Sequence, residues 1–312
     1  MESFHHVSIL LEECLEQLAI RPDAVYIDAT LGGAGHSFHL ASRLSDEGTL
    51  LCIDRDDEAL ANAEIRLKPV RHRVRLCKSD FRELDKVLER EGFAGADGIL
   101  FDLGVSSPQL DHAERGFSYM QDAPLDMRMD RQQALTAYDV VNGWEQSEIR
   151  RILFEYGEER YAPLIAAAIV RSREEKPIET TSELVSIIKS AMPAKALREK
   201  QHPAKRSFQA IRIAVNDELG AVAEAMDKAI DALNPGGRLA VITFHSLEDR
   251  IVKTAMKKAS EGCTCPKDFP VCVCGRKPRV KVITRKPIVP DAGEVDENAR
   301  ARSAKLRVCE KL

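Results

Sequence analysis

A carboxylate followed by glycines is the first place where this chain could do chemistry. Tyr26-Ile27-Asp28-Ala29-Thr30-Leu31-Gly32-Gly33-Ala34-Gly35-His36 runs from an apolar stretch through a small-residue turn into a helical pattern. In a parallel α/β sheet such a turn builds a nucleotide pocket at the carboxyl end of the first strand. Glycine lets the backbone approach a ligand there. About 20 residues on, as in nucleotide-binding fingerprints, Thr49-Leu50-Leu51-Cys52-Ile53 ends at Asp54, placed to accept hydrogen bonds from ribose hydroxyls. A dinucleotide fingerprint would need a third glycine where His36, Ser37 and Phe38 stand instead. Asp28 at the strand end would repel a pyrophosphate and suit a cationic methionine moiety. The expected cofactor is therefore S-adenosylmethionine (SAM) rather than NAD.

Positioning these groups requires a sheet. Val74 to Cys77, leading to Asp80-Phe81, and Ala96 to Asp102 read as a third and a fourth strand, with helical patterns over 37–44, 57–67 and 82–90 between the strands. That alternation implies a parallel sheet covered on both faces, with Asp28, Asp54, Asp80, Phe81 and Asp102 on one edge. Phe81 could flank an adenine or simply pack.

From about Asp111 to Gln201 the pattern is helical. Ser147 is placed to cap a helix running to Gly157, and Thr180 with Glu183 forms a capping box. Strand and helix then alternate again. A turn at Asn234-Pro235-Gly236-Gly237 leads into a fifth strand over 238–244 and a helix over 248–259. Segments 280–288 and 305–309 predict an antiparallel hairpin at the sheet edge. The expected fold is α/β: a Rossmann-like seven-stranded sheet with a terminal antiparallel hairpin, as in class I SAM-dependent methyltransferases, plus an inserted all-helical domain. The domains expected are 1–110 with 202–312, and a helical substrate-recognition insert at 111–201.

Composition bounds the function. The 312 residues are 44% hydrophobic and 31% charged, as in globular domains, and no apolar run approaches the roughly 20 residues of a membrane span. The acidic, amphipathic start around Leu10 to Glu13 is not the pattern of a signal peptide, so a cytoplasmic location is expected. A net charge of −4 leaves any polyanion partner to local basic patches. Four cysteines (Cys14, Cys52, Cys77, Cys309) lie in apolar patterns and read as small core residues. Cys263, Cys265, Cys272 and Cys274 cluster in sequence, a donor set that fits either zinc or a reduced loop, because C-x-C is unusual for zinc. No metal is assigned from the sequence.

Several ungapped stretches carry a closer likeness: Asp102-Leu103-Gly104-Val105-Ser106-Ser107-Pro108-Gln109-Leu110-Asp111, Glu114-Arg115-Gly116-Phe117-Ser118, Pro124-Leu125-Asp126-Met127-Arg128-Met129-Asp130, His202-Pro203-Ala204, Phe244-His245-Ser246-Leu247-Glu248-Asp249-Arg250, and Asn298 with Ala299 to Ser303. In this order they resemble the small-subunit ribosomal RNA methyltransferase H family, of the MraW type, over nearly the whole chain. The resemblance implies SAM-dependent methylation of the exocyclic N4 of a cytosine in the decoding region of small-subunit (16S) ribosomal RNA. It also implies SAM contacts at Ala34, Gly35, His36, Asp54, Phe81, Asp102 and Gln109, with Gln109 coming from the resemblance alone. The partner implied is small-subunit ribosomal RNA or the assembled small ribosomal subunit.

Methyl transfer from a sulfonium needs alignment and desolvation rather than a metal. The cytosine amine is a weak nucleophile, because its lone pair is delocalised into the ring. Ser107, or a nearby carbonyl, is expected to hold that amine. The surrounding Ser106-Ser107-Pro108-Gln109 looks like the loop of base-directed amino-methyltransferases without its second proline and aromatic. His245, ending the fifth strand, is a candidate proton acceptor or a structural hydrogen-bonding group. A target base must be unstacked, with basic side chains placing the RNA backbone. Lys195, Arg198, Lys200, Lys205 and Arg206 form one group for this. Arg276, Lys277, Arg279, Lys281, Arg285 and Lys286 form a second, and Arg300 with Arg302 a third. Two rivals stand beside this reading: a SAM enzyme acting on a small molecule or protein, and a non-catalytic RNA-binding assembly factor.

Overall fold

Aliphatic side chains alternate between two faces of a seven-stranded sheet, and each face is buried under helices. The structure, a computed structural model, describes residues 8–263, 265 and 274–312. The strands are β1 (Val25–Asp28), β2 (Thr49–Asp54), β3 (Val74–Lys78), β4 (Ala96–Asp102), β5 (Leu233–Thr243), β6 (Val280–Val282) and β7 (Lys305–Lys311), in the order β3-β2-β1-β4-β5-β7-β6. Pairing is parallel from β3 through β5, while β7 runs antiparallel to both β5 and β6. This is the class I methyltransferase arrangement, terminal antiparallel hairpin included.

Neighbouring residues along a strand feed different cores. Ile27, Leu51, Ile53, Phe101 and Val241 pack on one face, and Tyr26, Leu50, Cys52, Leu100 and Ile242 on the other. Each such large side chain stabilises the fold by about 1.5–3 kcal/mol when fully buried. The parallel register puts the last residues of β1, β2 and β4 (Asp28, Asp54 and Asp102) on one edge, because Asp28 pairs with Cys52 and Leu100 and Asp54 with Lys78.

The chain divides into two compact units, Met1–Gly104 with Leu219–Leu312, and Val105–Glu218. The first holds the sheet. The second is helical and wider at both ends than the 111–201 segment that strand alternation suggested. Its C-terminal limit moves because helix Lys205–Asn216 packs on helices Ala137–Gly143 and Gln146–Glu155 of that unit. Its core joins Phe117, Leu125 and Met127 to Ile152, Ile165, Leu184 and Phe208.

Two of the resembling motifs brace this unit. Arg115 is buried and donates from Nη2 to the carbonyls of Arg128 (3.0 Å) and Met129 (3.1 Å). Asn216 donates to the Met127 carbonyl at 2.7 Å and accepts from Met129 N–H at 2.8 Å. Asp126 and Arg128 form a two-pronged pair, which holds the Asp126 carboxyl below its usual range despite burial. The Thr180–Glu183 capping box is present.

Other local expectations give way. Glu145, not Ser147, precedes helix Gln146–Glu155, which ends before Gly157. Asn234-Pro235-Gly236-Gly237 lies inside β5, where the register against β4 shifts between Ala96 and Gly98, so the turn signal marks a bulge. β6 is only three residues long, and the chain rejoins β7 through a single bridge at Ile288.

Gly98 is set by packing rather than by its dihedral angles: a Cβ there would sit 2.6 Å from the ring of buried Tyr26. Gly98→Ala is expected to lower unfolding free energy by about 1–3 kcal/mol through overpacking. Urea denaturation checks this, and an unchanged midpoint would contradict the close packing.

Candidate functional site

The turn after β1 is shaped by the two carboxylates on either side of it. Gly32 takes a positive φ of 46°, which side-chain-bearing residues resist, and points its N–H at Asp54 Oδ2 (2.8 Å). Asp54 Oδ1 accepts from Asp56 N–H at 2.9 Å. Each oxygen keeps a second lone pair for a hydroxyl donor. Burial pushes the Asp54 carboxyl up to about 6, against the lowering effect of these two N–H groups.

Asp28 does something other than face a ligand. It is 1% exposed, and its oxygens accept from Thr30 N–H (3.1 Å) and Ser37 Oγ (2.6 Å). It therefore ties β1 to both the turn and the following helix, Gly35–Ser42. Burial raises its pKa, and with its oxygens committed to Thr30 and Ser37 it is a poor anionic partner for a methionine ammonium. Thr30 in turn accepts from Asp102 N–H at 2.6 Å, linking the turn to β4.

Ala34, at the cap of helix Gly35–Ser42, also has a left-handed φ of 57°. A Cβ at Gly35 would collide with Ser8 Oγ and come within 3.5 Å of Arg66. The glycine there makes room for the chain's own side chains, while Arg66 Nη1 holds the Gly33 carbonyl at 2.6 Å.

His36 is buried in the first turn of that helix. Its Nε2 lies 3.0 Å from the Ile9 carbonyl and its Nδ1 3.4 Å from Asp102 Oδ2. Burial alone would lower its pKa, but the Asp102 carboxylate and the Cys14 sulfur more than offset this and raise it well above the usual value. The ring therefore orients Asp102. Asp102 Oδ1, in contrast, is a buried oxygen with no hydrogen-bond partner among the described residues. An acceptor in that state awaits a donor. Phe81, just past β3, sets its edge against Phe101 with ring centroids 5.5 Å apart, and it is partly exposed.

These six groups, Ala34, Gly35, His36, Asp54, Phe81 and Asp102, all lie in the sheet-bearing unit, on its carboxyl edge or in the turns that leave it. Gln109 and His245 have local structural work. Gln109 belongs to the helical unit, where its Oε1 accepts from Ser106 N–H (3.1 Å) and its own N–H donates to Ser106 Oγ (3.4 Å). This is the reciprocal cap of helix Ser107–Asp111. The Ser107 side chain lies outside the described part of the structure.

His245 caps helix Ser246–Ser260: its Nδ1 accepts from Glu248 N–H at 3.5 Å, and Glu248 accepts from Phe244 and His245 N–H groups. His245 Nε2 sits 3.0 Å from Glu248 Oε1 without the alignment of a hydrogen bond. A lone pair engaged in capping is a poor proton acceptor, so the structural role expected as one alternative for His245 is the one this geometry favours. Both caps were legible as S-x-x-Q and H-x-x-E spacings.

The MraW methylase family matches residues 3–312. The chain belongs to it. Ribosomal RNA small subunit methyltransferase H of Brevibacillus brevis is 58% identical over 310 residues, covering 99% of each chain. The protein of the same name from Paenibacillus sp. JDR-2 is 58% identical over 315 residues, covering 99% of this chain and all of its own. That of Clostridioides difficile is 53% identical over 309 residues, covering 99% of each.

A ligand whose hydroxyls donate to Asp54 favours its ionised form. SAM affinity is therefore expected to fall as pH drops through about 6, approaching about tenfold per pH unit below that point. The ligand-free fold should respond with the opposite sign. Because burial raises this pKa, the folded state holds the proton more tightly than the unfolded one, so Asp54 favours folding more as pH falls from about 6 toward the ordinary aspartate value of 3.8. Calorimetry of SAM binding across this range checks the first effect, and a flat affinity would remove Asp54 from the ligand's contacts.

Proposed function

We propose that this protein transfers the methyl group of SAM to the exocyclic N4 of a cytosine in the decoding region of small-subunit ribosomal RNA. The observation that carries the reading is Asp102 Oδ1, a buried acceptor without a partner among the described residues, beside the first turn of helix Gly35–Ser42 and on the same edge as Asp54. An adenosyl ligand supplies what both acids lack: ribose hydroxyls for Asp54 and an ammonium or adenine amine for Asp102. Ala34, Gly35 and His36 form the turn beside it, and Phe81 offers an aromatic wall. Gln109, a SAM contact by the family likeness, also holds the segment after β4 in its capped helix. Membership of a methylase family and the names of its curated relatives support the same reaction.

SAM, when bound, supplies an electrophilic methyl on a sulfonium. Transfer forms an N4–carbon bond, breaks a sulfur–carbon bond and releases one amine proton. The protein's share is to hold the amine in line and keep water out, effects worth about 7–11 kcal/mol in favourable cases. A carbonyl or hydroxyl in the 104–107 segment that accepts an amine N–H would turn the nitrogen lone pair toward the methyl; Ser107 is our choice for that role. With His245 engaged as a cap, the proton leaves to water.

The helical unit is the RNA platform in this reading. Lys195, Arg198, Lys200 and Lys205 are exposed on it, with no ion pair among the described residues. Arg206 is instead held by the Glu158 carbonyl at 3.0 Å, and Arg279, in the second basic group, is paired with Asp227 and Asp231. No helix of the described residues is long and apolar enough to cross a membrane. An enzyme that modifies ribosomal RNA or the assembled small subunit would work in the cytoplasm.

Mass mapping of methylated nucleotides after incubation with labelled SAM and unmodified small subunits tests the reading. One N4-methylated cytosine in the decoding region is expected, and label confined to protein or small molecules would overturn it. Asp102→Asn should weaken SAM binding by tenfold or more, about 1.4 kcal/mol. Lys195→Glu, Lys200→Glu and Lys205→Glu together should depress methylation of RNA while leaving calorimetric SAM affinity unchanged. Full activity of that triple variant would remove the basic face from the substrate path.

A further inference from the structure

We propose that the thiolates of Cys263, Cys265 and Cys274 bind a structural zinc ion that pins the connection between helix Ser246–Ser260 and β6. Their sulfur atoms all lie within 4.8 Å of one another, and those of Cys263 and Cys274 are 3.7 Å apart. A tetrahedral zinc with Zn–S bonds near 2.3 Å requires neighbouring sulfurs about 3.8 Å apart. The same separation is far beyond the roughly 2.05 Å of a disulfide.

The cysteines of this chain fall into two physical classes. Cys14, Cys52, Cys77 and Cys309 are buried, and burial raises every one of their thiols, that of Cys309 to about 12. Those four are core residues. Cys263 and Cys274 are exposed and Cys265 is half-exposed, so apolar packing does not account for their convergence. Soft thiolates select zinc over magnesium or calcium. Cys272 lies outside the described residues and is not counted in the site; the fourth position falls to water or another donor.

The surroundings suit a staple. Just beyond the sulfurs the two limbs of the connection meet, with Arg279 N–H donating to the Ala259 carbonyl at 2.8 Å and Arg276 Nη2 to the Lys258 carbonyl at 3.1 Å. Arg279 is in turn fixed by Asp227 and Asp231. A metal bound across Cys263 and Cys274 would extend this closure outward. Three thiolates on one zinc leave a net negative charge, which Arg276, Lys277 and Lys258 can offset from the adjoining chain. Binding releases the three thiol protons.

The test uses the full-length chain without a histidine tag, made with zinc in the medium and purified under reducing conditions. Elemental analysis should find about one zinc per chain. Replacing it with cobalt should give thiolate-to-metal charge-transfer absorption and the visible bands of a tetrahedral ion. Cys263→Ser with Cys274→Ser should reduce bound zinc at least tenfold, while circular dichroism and SAM affinity stay as in the parent chain. In the parent chain, chelation should release zinc together with three newly reactive thiols. Wild-type protein that holds no zinc after reconstitution, zinc retained in full by the double variant, or iron in its place would each overturn the assignment.

Discussion

Backbone N–H groups aimed at strand-end carboxylates hold the working edge of this molecule in shape. Asp28 gathers Thr30 N–H and the Ser37 hydroxyl, while Asp54 gathers Gly32 and Asp56 N–H groups. Between them the turn after β1 has little freedom. Both acids are raised by burial, so the shape is maintained against a desolvation cost rather than for free. The two differ in exposure: Asp28 is 1% exposed, whereas Asp54 is partly exposed. His36 fixes one oxygen of Asp102 and leaves the other unpartnered among the described residues.

A comparable economy runs through the helical unit. Its irregular segment, 113–135, has few regular backbone hydrogen bonds of its own, so side chains supply them. Arg115, Asp126, Arg128 and Asn216 are polar, mostly buried, and spent on main-chain carbonyls, N–H groups or one another. Buried donors and acceptors left unmet would each cost about 1–3 kcal/mol. The motifs Glu114–Ser118 and Pro124–Asp130 therefore carry structure at least as much as chemistry.

The sheet could be read in the sequence because alternating aliphatic runs, glycine turns and helical stripes all point to one topology. The edge it creates followed directly, and Asp54, Asp102 and the glycine turn fall where that logic put them. What could not be read was the direction in which each polar side chain looks. Asp28 resembles Asp54 in sequence context, yet a hydroxyl nine residues on draws it inward. A Cβ at Gly35 would meet Ser8, a neighbour distant in sequence. Gln109, expected from the resemblance alone, and His245, expected as proton acceptor or structural group, both complete helix caps, at S-x-x-Q and H-x-x-E spacings that the sequence carries. Helix Lys205–Asn216 was assigned to the sheet by its position in the chain, and its apolar face places it with the helices instead.

Interrupting the sheet between β4 and β5 has a consequence for synthesis. During translation β1 to β4 emerge first, and β4 must wait for the whole of Val105–Glu218 before β5 can pair with it. Until then β4 is a bare margin of the sheet, with unpaired amides available to any other nascent chain. The helical unit has a hydrophobic core of its own and so can collapse during that interval. Its rapid collapse would shorten the time for which that margin stands open, and the same delay marks the stage at which a weakened helical core would cost yield before it cost activity.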